Sequence, residues 1–339
     1  MKKTILITGG AGFIGSHVVN FFTDKYPNYK FVVLDLLTYA SNIHNIMHVE
    51  GNRVGWKENI FFCKGDIRDT ELVTHLFKLH DITDIIHLAA ESHVDNSILT
   101  PNIFVDTNVM GTVNLLNVAK EFWGEGSDNR FHHVSTDEVY GDLELDEAPF
   151  SESTPYDPSS PYSASKAASD HFVRAYGRTY NMNVTISNCS NNYGPHQHKE
   201  KLIPVVINKL MDGEKIPVYG KGENVRDWLW VGDHVTAIDE IFHNGKTGQT
   251  YNVGGDNEMT NIELIRKISA QYQIFLKGPH NFNIPMPIEF VTDRKGHDLR
   301  YAINSNKLQT NLNWKPEKNF EEGMVETIKY YENQRNVTE

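Results

Sequence analysis

The sequence predicts an α/β fold in which helices cover both faces of a parallel β-sheet. Over the first half of the chain, short apolar runs of strand length alternate with longer stretches of helical periodicity. The first run, Thr4–Thr8, leads directly into glycines at Gly9, Gly12 and Gly15. The next run ends in an acidic residue, Asp35. This combination is typical of a doubly wound sheet of Rossmann type.

The three glycines lie where a strand passes into a helix. Their G-x-x-G-x-x-G spacing permits a tight turn, a close approach of the backbone to a pyrophosphate, and packing of the helix on the strand. Phe13 and Ile14 fall within this turn. A glycine-rich surface turn is the alternative, but the position between strand and helix favours a dinucleotide site.

Asp35 predicts which dinucleotide binds. A carboxylate about twenty residues after the glycines suits a ribose diol and repels a 2′-phosphate. Residues 36–40 contain no Lys or Arg that could attract that phosphate. The sequence therefore predicts NAD rather than NADP as the cofactor.

Further strands are predicted near residues 60–63, 84–88, 131–135 and 184–188, with long helices at 102–122 and 162–180. Because ligands bind at the carboxyl ends of parallel strands, the polar segments after these strands should meet at one edge. We expect a first domain at residues 1–188, to which a segment at 226–254 returns. A smaller second domain is expected at residues 189–339.

The composition excludes several classes of function. A net charge of −12 over 339 residues argues against nonspecific nucleic-acid binding. The two cysteines, Cys63 and Cys189, show no disulfide or zinc pattern. No apolar stretch approaches the length of a membrane helix, so we expect no membrane contact and a soluble, cytoplasmic protein. His196 and His198 lack a ligand set around them, and no metal is expected.

Two segments predict the chemistry. Tyr162 and Lys166 are spaced one helical turn apart, where a lysine can lower the pKa of a phenol so that it exchanges a proton near neutral pH. Asp137 and Glu138 place two carboxylates side by side after a predicted strand. Simple alcohol oxidation needs no carboxylate pair, so the pair indicates that water is moved as well as hydride.

These motifs resemble a known family. Residues 8–15, Ala89-Ala90, Tyr162-x-x-x-Lys166 and residues 192–195 are similar to those of the extended short-chain dehydrogenase/reductases. Within that group, residues 90–95, 135–141, 188–195 and 200–204, together with 220–222 and 226–228, resemble the dTDP-glucose 4,6-dehydratases over almost the whole chain. The triplet at 136–138 is the most specific part, because UDP-sugar 4-epimerases carry small residues at the two acidic positions.

The resemblance implies roles for the catalytic residues. Tyr162 would take the proton of the sugar C4 hydroxyl while NAD accepts the C4 hydride. Lys166 would hold the nicotinamide ribose, and Thr136 would bond the C4 oxygen. Glu138 would remove the C5 proton as base and Asp137 would protonate the departing C6 hydroxyl as acid. The hydride would then return to C6, giving dTDP-4-keto-6-deoxyglucose, a precursor of 6-deoxysugars such as rhamnose.

The candidate binding residues form two groups. The cofactor group consists of Gly9, Gly12, Phe13, Ile14, Gly15, Asp35, Thr38, Asp66, Ile67, Ala89, Thr107, Tyr162, Lys166 and Asn192. The group for the dTDP-glucose substrate consists of Ser92, Thr136, Asn191, Glu200, Lys201, Arg226, Asn261 and His297. The second domain would thus bind the nucleotide sugar, and the family's helical dimer face implies a homodimer.

Each motif has a plainer interpretation. Tyr162 and Lys166 could lie on a solvated helix face, the adjacent acids could begin a helix, and Arg226-Asp227 could be a surface ion pair. Two other functions also stay open. One is a different nucleotide-sugar enzyme, such as a 4-epimerase or a dehydratase of another nucleotide sugar. The other is an NAD-binding regulator without catalytic activity, which would have no need of Tyr162 and Lys166.

Overall fold

The computed structural model describes residues 3–50, 53–277, 287–294 and 296–338. The strands are β1 (Thr4–Thr8), β2 (Lys30–Asp35), β3 (His48–Glu50), β4 (Arg53–Gly55), β5 (Ile60–Lys64), β6 (Asp84–His87), β7 (Arg130–Thr136), β8 (Asn183–Cys189), β9 (Asn191–Tyr193), β10 (Ile216–Tyr219), β11 (Val225–Trp230), β12 (Thr250–Val253), β13 (Glu258–Thr260), β14 (Ile288–Val291) and β15 (Arg300–Tyr301). The helices are α1 (Phe13–Lys25), α2 (Thr70–His80), α3 (Val94–Leu99), α4 (Pro101–Phe104), α5 (Gly111–Trp123), α6 (Pro161–Tyr180), α7 (Leu202–Asp212), α8 (Val231–Asn244), α9 (Asn261–Lys277), α10 (Asn306–Leu312) and α11 (Phe320–Thr338).

Seven strands form one parallel sheet in the order β12-β8-β7-β6-β1-β2-β5. From β1 the chain first builds outward through β2 and β5, then crosses back to β6 and builds in the other direction. This reversal between β1 and β6 opens a crevice at the carboxyl ends of the strands. The predicted Rossmann-type parallel sheet is confirmed.

Both faces of the sheet are buried, which explains why its strands are apolar without a clear alternation. Successive side chains of a strand point to opposite faces. Accordingly, Leu6 packs in a core with residues of α2, α5 and α6, while Ile5 and Ile7 pack in a second core with residues of α1 and α8. The two helical layers therefore hold the strand ends, and the loops that follow them, in fixed positions.

The later part of the chain forms a separate core that brings its own side chains toward the crevice. There α7, α9 and α11 pack on β10 and β11, with Val206, Ile265, Met324 and Trp228 buried together. Strand β11 pairs with β9, β13 and β15. These pairings place the start of β11 beside the residues around position 300.

The segment predicted to return to the first domain contributes to both sheets. Strand β12 pairs with β8 and adds the last strand to the seven-stranded sheet. Helix α8 covers the same sheet, whereas β11 belongs to the smaller one. The division at residues 188 and 189 stays a prediction.

The helix predicted over residues 102–122 is present, but it contains a π-helical turn. After α4 the chain makes a π-helical turn over Val105–Met110, and α5 begins only at Gly111. The extra residue in the turn directs Asn108 inward, where its amide bonds the backbone of Glu91 and the hydroxyl of Ser165. π-helical turns inside α-helices are frequently found at functional sites. Among the helices within the described ranges, none has both the length and the apolar character needed to cross a bilayer.

Candidate active site

A cleft of about 330 Å³ opens at the carboxyl ends of the parallel strands. Its lining comes from the glycine turn after β1, the end of β2, and the segments after β6, β7 and β8. Helix α6 and the loop at residues 197–201 complete it. The polar segments that the sequence predicted to converge therefore do meet at one edge of the sheet.

The glycine turn leaves no room for side chains where it faces the rest of the cleft. Gly9 has a φ of +69°, and a Cβ there would stand 2.7 Å from backbone atoms of Ala89. A Cβ on Gly15 would stand 2.0 Å from the carbonyl oxygen of Gly9. Helix α1 begins at Phe13, and its N-cap, Gly12, offers no side-chain hydrogen bond to the first turn. The free N–H groups and the helix dipole suit the pyrophosphate of a dinucleotide.

Asp35 is held at the end of β2 by two backbone hydrogen bonds. One oxygen accepts from the N–H of Ala11 at 2.9 Å and the other from the N–H of Leu37 at 2.8 Å. These bonds tie the acid to the glycine turn and fix its carboxylate at the cleft. Each oxygen keeps a second lone pair, so the geometry still fits a ribose diol.

All the predicted cofactor residues line the cleft. They are Gly9, Gly12, Phe13, Ile14, Gly15, Asp35, Thr38, Asp66, Ile67, Ala89, Thr107, Tyr162, Lys166 and Asn192. Asp66 is itself oriented by Arg68, whose guanidinium hydrogen bonds hold the pKa of the Asp66 carboxyl below its usual value.

The predicted substrate residues divide into two sets. Five line the same cleft, namely Ser92, Thr136, Asn191, Glu200 and Lys201. The other three, Arg226, Asn261 and His297, lie outside its lining. Asn261 begins α9 and donates its backbone N–H to Asn224. His297 pairs through Nδ1 with Asp293 at 2.7 Å.

Arg226 lies next to the carboxylate pair although it does not line the cleft. Its guanidinium is 4.2 Å from the centre of the Tyr301 ring and donates to the carbonyl oxygens of Asp298 and Leu299. From there its positive charge opposes the rise that burial causes in the pKa values of Asp137 and Glu138. Because the Arg226 side chain is almost completely buried, the alternative of a surface ion pair with Asp227 does not describe this residue.

The two adjacent acids follow β7 on a 3₁₀ turn over Asp137–Tyr140. Thr136 caps this turn by accepting from the N–H of Glu138 at 3.3 Å. The hydroxyl of Thr136 also donates to Asp137 Oδ1 at 3.3 Å. Asp137 Oδ2 is buried and has no hydrogen-bond partner among the described residues. One carboxyl oxygen of Asp137 is therefore available to hydrogen-bond a ligand.

The surroundings of the two acids differ. Burial raises the pKa of Asp137 well above its usual value, and the negative charges of Glu138 and Asp227 raise it further. Burial also raises the pKa of Glu138, but the cations Arg226 and Lys201 oppose that rise. Asp137 therefore retains its proton more strongly, and Glu138 gives up its proton more readily.

Tyr162 and Lys166 face the cleft from the first turns of α6. A capping box between Ser160 and Ser163 fixes the start of this helix. Burial, then the charge of Glu138, raises the pKa of the Tyr162 phenol well above its usual value, and a hydrogen bond with Thr136 opposes the rise. The lower pKa that the sequence predicted for Tyr162 is therefore not found in the protein alone, where the Lys166 ammonium donates to the carbonyl oxygen of Val134 at 2.9 Å.

Two residues of the site, Asp227 and Asn108, are not among the predicted site residues. Asp227 accepts from the N–H groups of Gly255 and Asn257 and lies close enough to raise the pKa of Asp137. Asn108 fixes the loop before Ser92, as described above. A polar residue within the apolar periodicity of residues 102–122 was the available signal for Asn108, whereas nothing in the sequence placed Asp227 beside Asp137.

Loops from three parts of the chain meet over the cleft at Glu200. Its carboxylate is 3.7 Å from His93 Nε2 and 3.5 Å from His198 Nδ1. His198 in turn contacts the ring of Tyr39 edge to face. Within the described ranges, no group of three His, Cys, Asp or Glu side chains is arranged to hold a metal ion.

Comparison with known proteins gives consistent results. The family model described as GDP-mannose 4,6-dehydratase matches residues 6–327. The chain is 47% identical to a dTDP-glucose 4,6-dehydratase of Xanthomonas campestris pv. campestris, over 97% of this chain and 93% of the relative. The crystal structure of a Bacillus anthracis dTDP-glucose 4,6-dehydratase in complex with NAD superposes with a TM-score of 0.85 and 42% identity, covering 98% of each chain. A Thermotoga maritima UDP-glucose 4-epimerase, solved with UDP-glucose, gives a TM-score of 0.83 at 27% identity, covering 99% of this chain and all of the other.

Proposed function

The chain belongs to the GDP-mannose 4,6-dehydratase family, and we propose that it uses NAD to dehydrate dTDP-glucose to dTDP-4-keto-6-deoxyglucose. The choice of dTDP-glucose over GDP-mannose rests on the relatives of that name, which are 44–48% identical to this chain over nearly its full length. The choice of dehydration over epimerisation rests on the carboxylate pair.

The single observation that carries the proposal is the difference between Asp137 and Glu138. Elimination of water needs an acid for the departing C6 hydroxyl and a base for the C5 proton. Burial beside Asp227 favours the protonated form of Asp137, while Arg226 and Lys201 favour the ionised form of Glu138. Two carboxyl groups whose environments separate their pKa values are suited to opposite roles.

Tyr162 and Thr136 suit the C4 hydroxyl. The phenol and the Thr136 hydroxyl share the cleft with both acids, so one sugar can contact all four side chains. Tyr162 would take the C4 proton and Thr136 would donate a hydrogen bond to the C4 oxygen. Once C4 is a ketone, the C5 hydrogen becomes acidic and Glu138 can remove it.

NAD fits the remaining part of the cleft. The glycine turn would hold its pyrophosphate, Asp35 its ribose diol, and Lys166 the second ribose. When bound, NAD supplies a hydride acceptor and a positive charge. That charge would favour ionisation of Tyr162, whose phenol is protonated in the protein alone because burial and Glu138 raise its pKa.

Two cationic side chains would attract the negatively charged diphosphate of the nucleotide. Lys201 lines the cleft and donates to the backbone oxygen of Ser92 at 3.1 Å, while Arg226 lies behind Glu138. His297 is close enough to Arg226 for that charge to lower its pKa, so Arg226 and His297 border a common region. Asn191 carries a buried oxygen without a hydrogen-bond partner among the described residues, which leaves it free for the sugar.

Product analysis tests the proposal. The enzyme with NAD is incubated with dTDP-glucose deuterated at C4, and the product is examined by mass spectrometry and NMR. A product lighter by one water, with the deuterium in its C6 methyl group, is expected. In heavy water the product should also gain deuterium at C5, because the Glu138 carboxyl exchanges its proton.

Other results separate the alternatives. An epimerase would return the label to C4 without losing water, and a regulator would leave the sugar unchanged. UDP-glucose and GDP-mannose serve as parallel substrates, and faster turnover of either would contradict the assignment of the nucleotide. A 4-keto product with the label anywhere other than C6 would contradict the hydride cycle.

We also propose that the protein is a cytoplasmic homodimer. Nucleotide sugars and NAD are metabolites of the cytoplasm. Helices α3, α4 and α6 and the π-helical turn expose large apolar side chains, namely Leu99, Ile103, Val105, Met110 and Phe172. An apolar patch of this kind on packed helices is typical of a subunit interface.

A further inference from the structure

Lys166 has buried partners beyond the cleft. Its ammonium lies 3.4 Å from Nε2 of His133, in addition to its bond with the carbonyl oxygen of Val134. The same Nε2 atom is 3.3 Å from Oδ1 of Asp170. Neither His133 nor Asp170 lines the cleft, and both side chains are almost completely buried. A histidine ring therefore stands between the lysine and an enclosed carboxylate.

Asp170 is an anion for which the proposed catalytic steps have no use. It lies one turn after Lys166 on α6, and its Oδ2 accepts from the hydroxyl of Tyr156 at 2.8 Å. Arg174 donates to that same hydroxyl at 2.6 Å. Burial opposes ionisation of Asp170, but His133, Lys166 and Arg174 together hold its pKa below the usual value. A buried carboxylate is retained at such a cost only when it has charged or hydrogen-bonded partners.

His133 can bond only one of its two neighbours at a time. Burial lowers its pKa to about 4, so the ring is neutral above that pH and carries one N–H. With the proton on Nδ1, Nε2 accepts from Lys166; with the proton on Nε2, it donates to Asp170. Nδ1 has no hydrogen-bond partner among the described residues, so no bond on the other side of the ring fixes either tautomer.

We propose that His133 and Asp170 are positioning residues that keep the Lys166 ammonium charged and directed into the cleft. His133 and Val134 accept two of its hydrogens, which leaves the third for the ligand. Asp170 supplies the negative charge that balances the ammonium. The inference rests on the proposed function, because Lys166 matters only if the cleft binds a reacting cofactor and sugar.

The charge environment of Lys166 determines the sign of the expected effect. The groups that face it are His87 on β6, His133 on β7, Cys189 on β8 and Asp170 on its own helix. Burial lowers the pKa of Lys166, and Asp170 is the first opposing charge. Removing that charge lowers the lysine pKa further, so the ammonium is lost at a lower pH.

The first test is Asp170→Asn in the holoenzyme. The alkaline limb of kcat should move down by about one pH unit or more, the usual effect of a nearby opposite charge. Titration of isotope-labelled lysine side chains by NMR should show the same shift in the Lys166 signal. Asp84→Asn is the control, because Asp84 is equally buried but pairs with Lys3 at the opposite end of the sheet.

The second test compares two substitutions of His133. His133→Phe removes both nitrogens and should lower the Lys166 pKa, whereas His133→Gln places an amide near Nε2 and should restore much of it. His132→Phe is the matched control. It is the preceding residue on β7 and equally buried, but it bonds Thr185 and Ser187 on the other side of the strand. His132→Phe should cost stability without moving the titration.

The outcomes separate this inference from the proposed function. Failure of the unmodified enzyme to convert dTDP-glucose would refute the function, while the NMR titration would still test the positioning role. An unchanged Lys166 titration in Asp170→Asn, or equal titrations in His133→Phe and His133→Gln, would overturn the inference. If Asp170→Asn does not fold, the comparison of His133→Phe with His133→Gln alone tests the inference.

Discussion

The guanidinium of Arg226 lies 4.2 Å above the Tyr301 ring, and this stacking holds a cation beside Glu138. The ring replaces the solvent that an arginine normally has on one face. The hydroxyl of Tyr301 bonds Asp298, whose backbone oxygen accepts from Arg226 in turn. The pKa of Glu138, in the first half of the chain, therefore depends on Arg226, Asp298 and Tyr301 in the second half.

Replacing Arg226 should change the pH dependence of elimination. Because Arg226 opposes the raised pKa of Glu138, Arg226→Gln should raise that pKa by about one unit or more. Glu138 acts as a base only when ionised, so the acid limb of kcat should move to higher pH at saturating substrate. The pH profile of Tyr301→Phe, which keeps the stacked ring, should move less than that of Tyr301→Leu. Equal profiles in all variants would contradict the role of the cation.

Substitutions of Asp137 and Glu138 should block different steps of the reaction. Glu138→Gln removes the base but leaves Tyr162 in place, so reduced-nicotinamide absorbance should build up when substrate is added, with little loss of water. Asp137→Asn cannot donate an acidic proton to the C6 hydroxyl and should slow product formation by about 10²-fold or more. Tyr162→Phe is the comparison, because it should suppress the absorbance change itself. The same transient in all three variants would refute the division of labour.

Substitution of Asp35 should reduce the preference for NAD. Its carboxylate repels a 2′-phosphate, so Asp35→Ala should weaken NAD binding by about tenfold, or about 1.4 kcal/mol, and narrow the gap to NADP. Fluorescence titration of the protein with each dinucleotide measures both constants. Asp24→Asn, an exposed acid at the end of α1, is the control for net charge. Equal affinity of the unmodified protein for NAD and NADP would contradict the assignment of Asp35 as the residue that selects NAD.

Asn108 should affect substrate binding more than chemistry. Its amide bonds the backbone of Glu91 at 2.8 and 3.0 Å, and Asn108→Ala would leave buried groups unpaired at a cost of about 1–3 kcal/mol. The loop with Ser92 should then shift, raising KM several-fold while kcat falls less. Asn117→Ala, an exposed site on α5 that bonds Tyr176, is the control in thermal unfolding and kinetics.

The exposed apolar side chains of α3, α4, α6 and the π-helical turn predict an interface between two copies. Introducing charge there with Met110→Glu or Phe172→Glu should shift the mass measured by light scattering from dimer toward monomer. Leu79→Glu is the control, since Leu79 is as exposed as Met110 but lies on α2. A monomeric unmodified protein at micromolar concentration would refute the homodimer.

The local motifs were predictable because each is set by its immediate neighbours in the chain. Glycines after a strand, an acid at the end of the next strand, and Tyr162 and Lys166 one turn apart all follow from strand and helix geometry. Parallel strands then bring their carboxyl ends together, which is why the predicted cofactor residues all line one cleft.

What the sequence could not provide depends on contacts between distant segments. Arg226 on β11 lies close to Glu138, which follows β7, and no local pattern of the sequence specifies that contact. The pKa of Tyr162 is raised rather than lowered because the phenol is buried and lies close to Glu138, and neither fact follows from the spacing of Tyr162 and Lys166. The π-helical turn within residues 102–122 brings Asn108 to its buried partners, and apolar periodicity does not reveal such a turn.

The position of β12 has a consequence for the order in which the chain can fold. Strand β8 ends at Cys189, but its outer neighbour β12 begins only at Thr250. During synthesis, β8 therefore remains an unprotected sheet edge until some sixty further residues have left the ribosome. Helix α8, which shields one face of the same sheet, emerges only shortly before. A nascent chain of intermediate length exposes both an open edge and uncovered apolar side chains, the combination that favours aggregation and calls for chaperones.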